Sequence, residues 1–119
     1  MQELTVTQIQ AAVREAREAA YEAADHFFRT KLGGRDQYAC GFAWVNIWEY
    51  NGKPIKGNTK IGRLLKQAGI RQDYTRAFQI WNPSGMHVQN VDTLEAGAQA
   101  AADVFKKYGF TAYAGSRLD

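Results

Sequence analysis

Apolar positions recur at spacings of four and three from Ile9 through Val13, Ala16, Ala20 and Ala23 to Phe27, with polar residues between them. That period lines one face of a helix and predicts an amphipathic segment from Thr7 to about Leu32. Thr7 with Gln10 offers a capping box at its start, and Gly33-Gly34 supplies residues that tolerate positive φ at its end. At 1.5 Å per residue this helix is about 38 Å long. A compact domain of this size is about 27 Å across, so part of the helix is expected to project or to meet a second subunit.

The pattern then changes to alternation. Tyr38 to Tyr50 is rich in aromatic and β-branched residues and runs into Asn51-Gly52, a strong turn signal. Side chains of a strand alternate between faces, so Ala39, Gly41, Ala43, Val45 and Ile47 form a small, aliphatic side. Tyr38, Cys40, Phe42, Trp44, Trp48 and Tyr50 form the other. The small side suits contact with the alanine-rich helix, and the aromatic side needs core, a subunit or a ligand to cover it.

Beyond a loop punctuated by Pro54 and Gly57, Thr59 to Ala68 predicts a short helix. Asn58 or Thr59 is its cap, and Ile61, Leu64, Leu65 and Ala68 face inward. Tyr74–Trp81 and Met86–Val91 predict a hairpin joined by Asn82-Pro83-Ser84-Gly85. Asp92 with Glu95 predicts the start of a last helix whose stripe is Leu94, Ala98, Ala101, Phe105 and Tyr108, ended by Gly109. Phe110–Ala114 closes the chain as a short strand. The expected fold is a single α+β domain over residues 1–119, in the order α-β-α-β-β-α-β, with an antiparallel sheet of about four strands packed by helices.

Composition adds limits. The 119 residues suffice for one core without staples. The single cysteine, Cys40, forbids an intramolecular disulfide and fits a reducing compartment. Neither a signal peptide nor a run of about 18 apolar residues is visible, so a cytoplasmic protein is expected. The formal charge is +3, unevenly spread. From Asn51 to Arg76, Lys53, Lys56, Lys60, Arg63, Lys66, Arg71 and Arg76 face only Asp73, which favours an anionic partner.

Catalytic and metal chemistry find little footing. Cys40 needs a base to become a nucleophile, and neither His26 nor His87 is placed beside it by spacing. One cysteine and two distant histidines match no zinc pattern, and no acidic cluster offers an oxygen cage. No cofactor is implied. Lys56-Gly57-Asn58-Thr59-Lys60 sets glycine, lysine and a hydroxyl before a helix, an improvised anion site without P-loop spacing. A late helix packed on an antiparallel sheet is the outline of a double-stranded RNA-binding domain. Here, however, that helix starts Asp92-Thr93-Leu94-Glu95, which repels phosphate.

The chain resembles a widespread family of small tailed-bacteriophage proteins with no assigned activity. The resemblance lies in Cys40-Gly41-Phe42-Ala43-Trp44-Val45, Trp81-Asn82-Pro83-Ser84-Gly85, Glu95-Ala96-Gly97-Ala98 and Ala114-Gly115-Ser116-Arg117-Leu118-Asp119. It implies expression in a bacterial cytoplasm during infection and an accessory role such as binding a host molecule, and it supplies no catalytic residue. The leading expectation is a non-enzymatic module for an anionic ligand, a nucleotide-type molecule or a nucleic acid. Lys60, Arg63 and Arg76 would supply charge, and Trp44, Trp48 and Trp81 stacking. Asn82 would supply hydrogen bonds, and Arg117 would close the site. The alternative is a homo-oligomer assembled through the first helix or the aromatic strand face, and an enzyme of unknown class is third.

Overall fold

The computed structural model describes residues 4–119. Three helices and four strands follow the expected order: α1 (Val6–Lys31), β1 (Gly41–Trp48), α2 (Lys60–Gln67), β2 (Arg71–Gln72), β3 (Phe78–Trp81), α3 (Val91–Lys107) and β4 (Thr111–Leu118). The strands form one fully antiparallel sheet in the order β2-β3-β1-β4. From β1 onward this is a split β-α-β pattern, repeated and interleaved, with α1 added before it.

The capping box of α1 sits two residues earlier than the sequence predicts. Thr5 Oγ1 accepts from Gln8 N–H at 3.1 Å, and Gln8 Oε1 accepts from Thr5 N–H at 2.9 Å. The strand expected over Tyr38–Tyr50 is shorter, because Tyr38 takes a φ of 64° and cannot extend the ladder. Its faces divide as expected. Gly41, Ala43, Val45 and Ile47 are buried, and Phe42, Trp44, Asn46 and Trp48 are only half-covered.

The hairpin of Tyr74–Trp81 with Met86–Val91 does not form. β3 already has β2 on one edge and β1 on the other, so no ladder is free for Met86–Val91. That segment rejoins β1 only through Gly41 N–H to Gln89 O at 2.9 Å and a bridge between Cys40 and Asn90. The first partner of β3 is instead Arg71-Gln72. The closing strand runs on to Leu118, since β4 pairs with β1 along the whole of β1.

All the helical packing lies on one side of the sheet. Val45, Ile47, Phe78, Ile80 and Ala112 meet Ile9, Ala12, Val13, Ala16 and Ala20 of α1 and Ala101, Ala102 and Phe105 of α3. The helices α1 and α3 lie closely together because the residues between them are small. A Cβ on Gly97 would stand 3.0 Å from Ala20 O and 3.3 Å from Ala24 Cβ. α2 adds Leu65 to the same core, with Ile61, Leu64 and Ala68 against it. Among the described residues, no helix is long and apolar enough to cross a membrane.

Candidate functional site

Among the described residues, no layer covers the sheet face opposite the helices. Register fixes who shares it. Trp44 lies opposite Trp81 and Gly115, Phe42 opposite Arg117, Asn46 opposite Gln79 and Tyr113, and Arg71 opposite Gln79. Directly opposed residues project to the same side. Five aromatic residues therefore stand on this face with two arginines and no carboxylate.

The rings are ordered. The indoles of Trp44 and Trp81 are parallel to within 3°, with centroids 5.3 Å apart, and Phe42 is tilted against Trp81 at 5.7 Å. Offset stacking at this distance is the favoured geometry for aromatic pairs. The Nε1 edge of Trp44 lies over Gly115, where a Cβ would fall 2.5 Å from Trp44 Cε2. Trp44 is thus held between the bare backbone at Gly115 and the ring of Trp81. Trp81 is 49% exposed and offers the open ring surface.

Arginines flank the rings. Arg117 Cζ lies 5.4 Å from the centre of Phe42, a cation–π contact on the β4 side. On the β3 side, Arg71 and Arg17 line a groove of about 380 Å³ along Trp81. Asp73 lines it as well, but Asp73 Oδ1 already accepts from Thr75 N–H, Thr75 Oγ1 and Ala77 N–H. None of the three arginines pairs with a carboxylate among the described residues. An asparagine–glutamine bridge, Gln79 Nε2 to Asn46 Oδ1 at 3.0 Å, separates this cluster from Trp48. Trp48 stands about 13 Å further along β1.

The expected site residues therefore divide. Trp44, Trp81 and Arg117 come together, and Trp48 shares their face at its far end. Asn82 follows Trp81 directly but is occupied in shaping the turn. Its φ is 47°, its Nδ2 donates to Met86 O at 3.1 Å, and its Oδ1 accepts from Ser84 Oγ. Lys60 and Arg63 belong to α2, which packs into the helical layer, and Arg63 Nη1 donates to Asn58 O at 2.7 Å. Arg76 lines a separate cleft with Lys56, Gly57 and Asn58 at the opposite end of the sheet. The anion site expected before α2 has one of its amide donors capped internally, Gly62 N–H, the third of the helix, to Thr59 Oγ1 at 3.2 Å.

Phe42, Arg71, Arg17, Tyr113 and Gly115 were not among the expected contacts. Phe42 shares the parity of Trp44 within one strand, which is a usable signal. Arg71, Tyr113 and Gly115 depend on pairing between distant strands, and Arg17 on how α1 packs near β3, and none of these gives a signal. Cys40 is exposed and its Sγ donates to Gln89 Oε1 at 3.4 Å. No group of three or more potential metal ligands occurs among the described residues. The class that fold and face define is an antiparallel α+β sandwich with one bare, aromatic sheet surface. No protein-family model, curated protein or solved structure matches the chain.

Proposed function

We propose that this chain is a non-enzymatic binding module for single-stranded nucleic acid, with bases stacked on Trp81 and Phe42 and phosphates held by Arg117, Arg71 and Arg17. The observation that carries the reading is the Trp44–Trp81 stack on an uncovered sheet, flanked by arginines that pair with no carboxylate among the described residues. Sheets that bind single strands place aromatic residues on their central strands, and β1 and β3 are the central strands here. That parallel is one of architecture only. A flat aromatic surface needs unstacked bases, which favours a single strand over a duplex. The resemblance to phage proteins fits an accessory role of this kind in an infected bacterial cytoplasm.

Titration with a short single-stranded oligonucleotide, followed by quenching of tryptophan fluorescence, tests the reading. Trp81→Ala is expected to weaken binding by about 1–3 kcal/mol, the worth of one base–aromatic stack, and a duplex of the same sequence is expected to bind poorly. The same face also fits the alternative of a subunit interface. Absence of quenching together with a concentration-dependent dimer in sedimentation would decide for that alternative.

A further inference from the structure

β3 ends at Trp81, and the chain swings out through Asn82–Gly85 before Gln89 returns to β1. The detour leaves a cleft of about 310 Å³ beside the platform, whose walls include Phe42, Trp81, Met86, His87, Gln89 and Asp119. We infer that this cleft is a base-recognition pocket that takes one nucleobase bearing an exocyclic amino group. The inference rests on the reading of the sheet face as a single-strand platform.

Continuity is the first argument. Phe42 and Trp81 belong to both the platform and the cleft, so a strand stacked on the face has its next base at the cleft mouth. Size is the second. Pockets for small molecules run from about 300 to 1,000 Å³, and this one, at the lower end, suits one planar ring system. A base in a single strand has little pairing to lose on entering it.

Polar chemistry sets the class of base. The Gln89 carboxamide uses Oε1 to accept from Cys40 Sγ, and its Nε2 hydrogens have no partner among the described residues. Asp119 is tied in place by its N–H to Cys40 O at 3.0 Å. A carboxylate on the wall disfavours phosphate and accepts hydrogen bonds from amino groups such as cytosine N4. Thymine and uracil offer a carboxylate only the ring N3–H, which stands between two carbonyl oxygens that repel it, so they gain less from Asp119. The pocket therefore favours cytosine, adenine or guanine over thymine or uracil.

Cys40 lines the same cleft and is the only cysteine of the chain, so its alkylation reports occupancy. The experiment measures the rate of N-ethylmaleimide addition to the full chain by mass spectrometry, with oligo(dC) or oligo(dT), alongside tryptophan quenching. With oligo(dC) at about ten times its Kd, alkylation is expected to slow about tenfold, since only the unoccupied fraction reacts. Oligo(dT) is expected to quench tryptophan while protecting Cys40 less. Asp119→Asn is expected to erase the difference between the two oligonucleotides and leave the quenching intact. Saturated quenching without protection of Cys40 would overturn the pocket and leave the platform standing. Equal protection by both oligonucleotides would overturn the choice of base. Failure of either oligonucleotide to quench would remove the platform, and the pocket with it.

Discussion

A methyl group at position 115 would occupy the space that the Trp44 indole edge fills. Gly115→Ala is therefore expected to tip Trp44 off β4 and break its parallel stack with Trp81. Loss of the exciton couplet that two stacked indoles give in far-UV circular dichroism is the readout, with a stability cost of about 1–3 kcal/mol from overpacking. A second residue-scale prediction concerns Glu15, which accepts from Tyr108 Oη at 2.9 Å and from Lys107 Nζ at 3.1 Å. The phenol first, then the ammonium, holds this carboxyl below its ordinary 4.5, and the same bond raises the phenol above 10.0. What the lowered acid contributes is present above the ordinary carboxylate value and is lost as pH falls through the lowered one. What the raised phenol contributes is present below 10.0 and is lost as pH rises through the raised value. Tyr108→Phe should move the Glu15 midpoint upward in an NMR titration; an unmoved midpoint would refute the coupling. At this scale the sequence made Trp44 and Trp81 legible, because strand parity and indole chemistry are local. It hid Gly115, whose role depends on a partner 71 positions away (115 − 44).

Among the elements, α3 depends on a buried asparagine. Asn90 Oδ1 accepts from both Thr93 N–H and Thr93 Oγ1 at 2.8 Å, while its Nδ2 donates to Gln37 O at 2.9 Å. Asp36 completes the clamp by accepting from the N–H groups of Gln89 and Asn90. Asn90→Ala removes the cap and strands Gln37 O, so chemical denaturation is expected to find it about 2 kcal/mol less stable. Asp92→Ala, at the residue the local pattern marks as the cap, should cost well under 1 kcal/mol, since it removes only a weak interaction with the helix dipole. The pattern placed this start two residues late because Asp92-Thr93-Leu94-Glu95 satisfies the capping-box rule by itself. Only the tertiary bond to Gln37 reveals Asn90 as the cap. Met86–Val91 misleads for a related reason: it has strand chemistry, but β1 and β2 hold both edges of the strand it would join. Element types and order were legible from periodicity, whereas pairing was not.

Across the whole molecule, the layers separate two groups of basic residues that the sequence runs together. Lys60 and Arg63 ride on the helical layer, while Arg117 and Arg71 share the bare sheet with the rings. Lys60→Ala/Arg63→Ala is accordingly expected to change oligonucleotide affinity by no more than about twofold, because screening weakens charges acting from a distance. Three flanking arginines instead predict a slope of about −2 for log K against log salt, at about −0.7 per phosphate. A much steeper slope would bring the middle-segment lysines back into the site. The long first helix also finds its explanation at this scale. The molecule measures 43 × 27 × 22 Å; the buried positions of α1 run from Ile9 to Ala24 against the core, and no residue from Asp25 to Lys31 is buried. The pairing of α1 with α3 has a further consequence for how the chain is made. A ribosome releases the alanine stripe of α1 long before Val91–Lys107 exists to cover it. The first helix then waits without α3 while the residues between them are made, and its nascent form is a natural client for a chaperone.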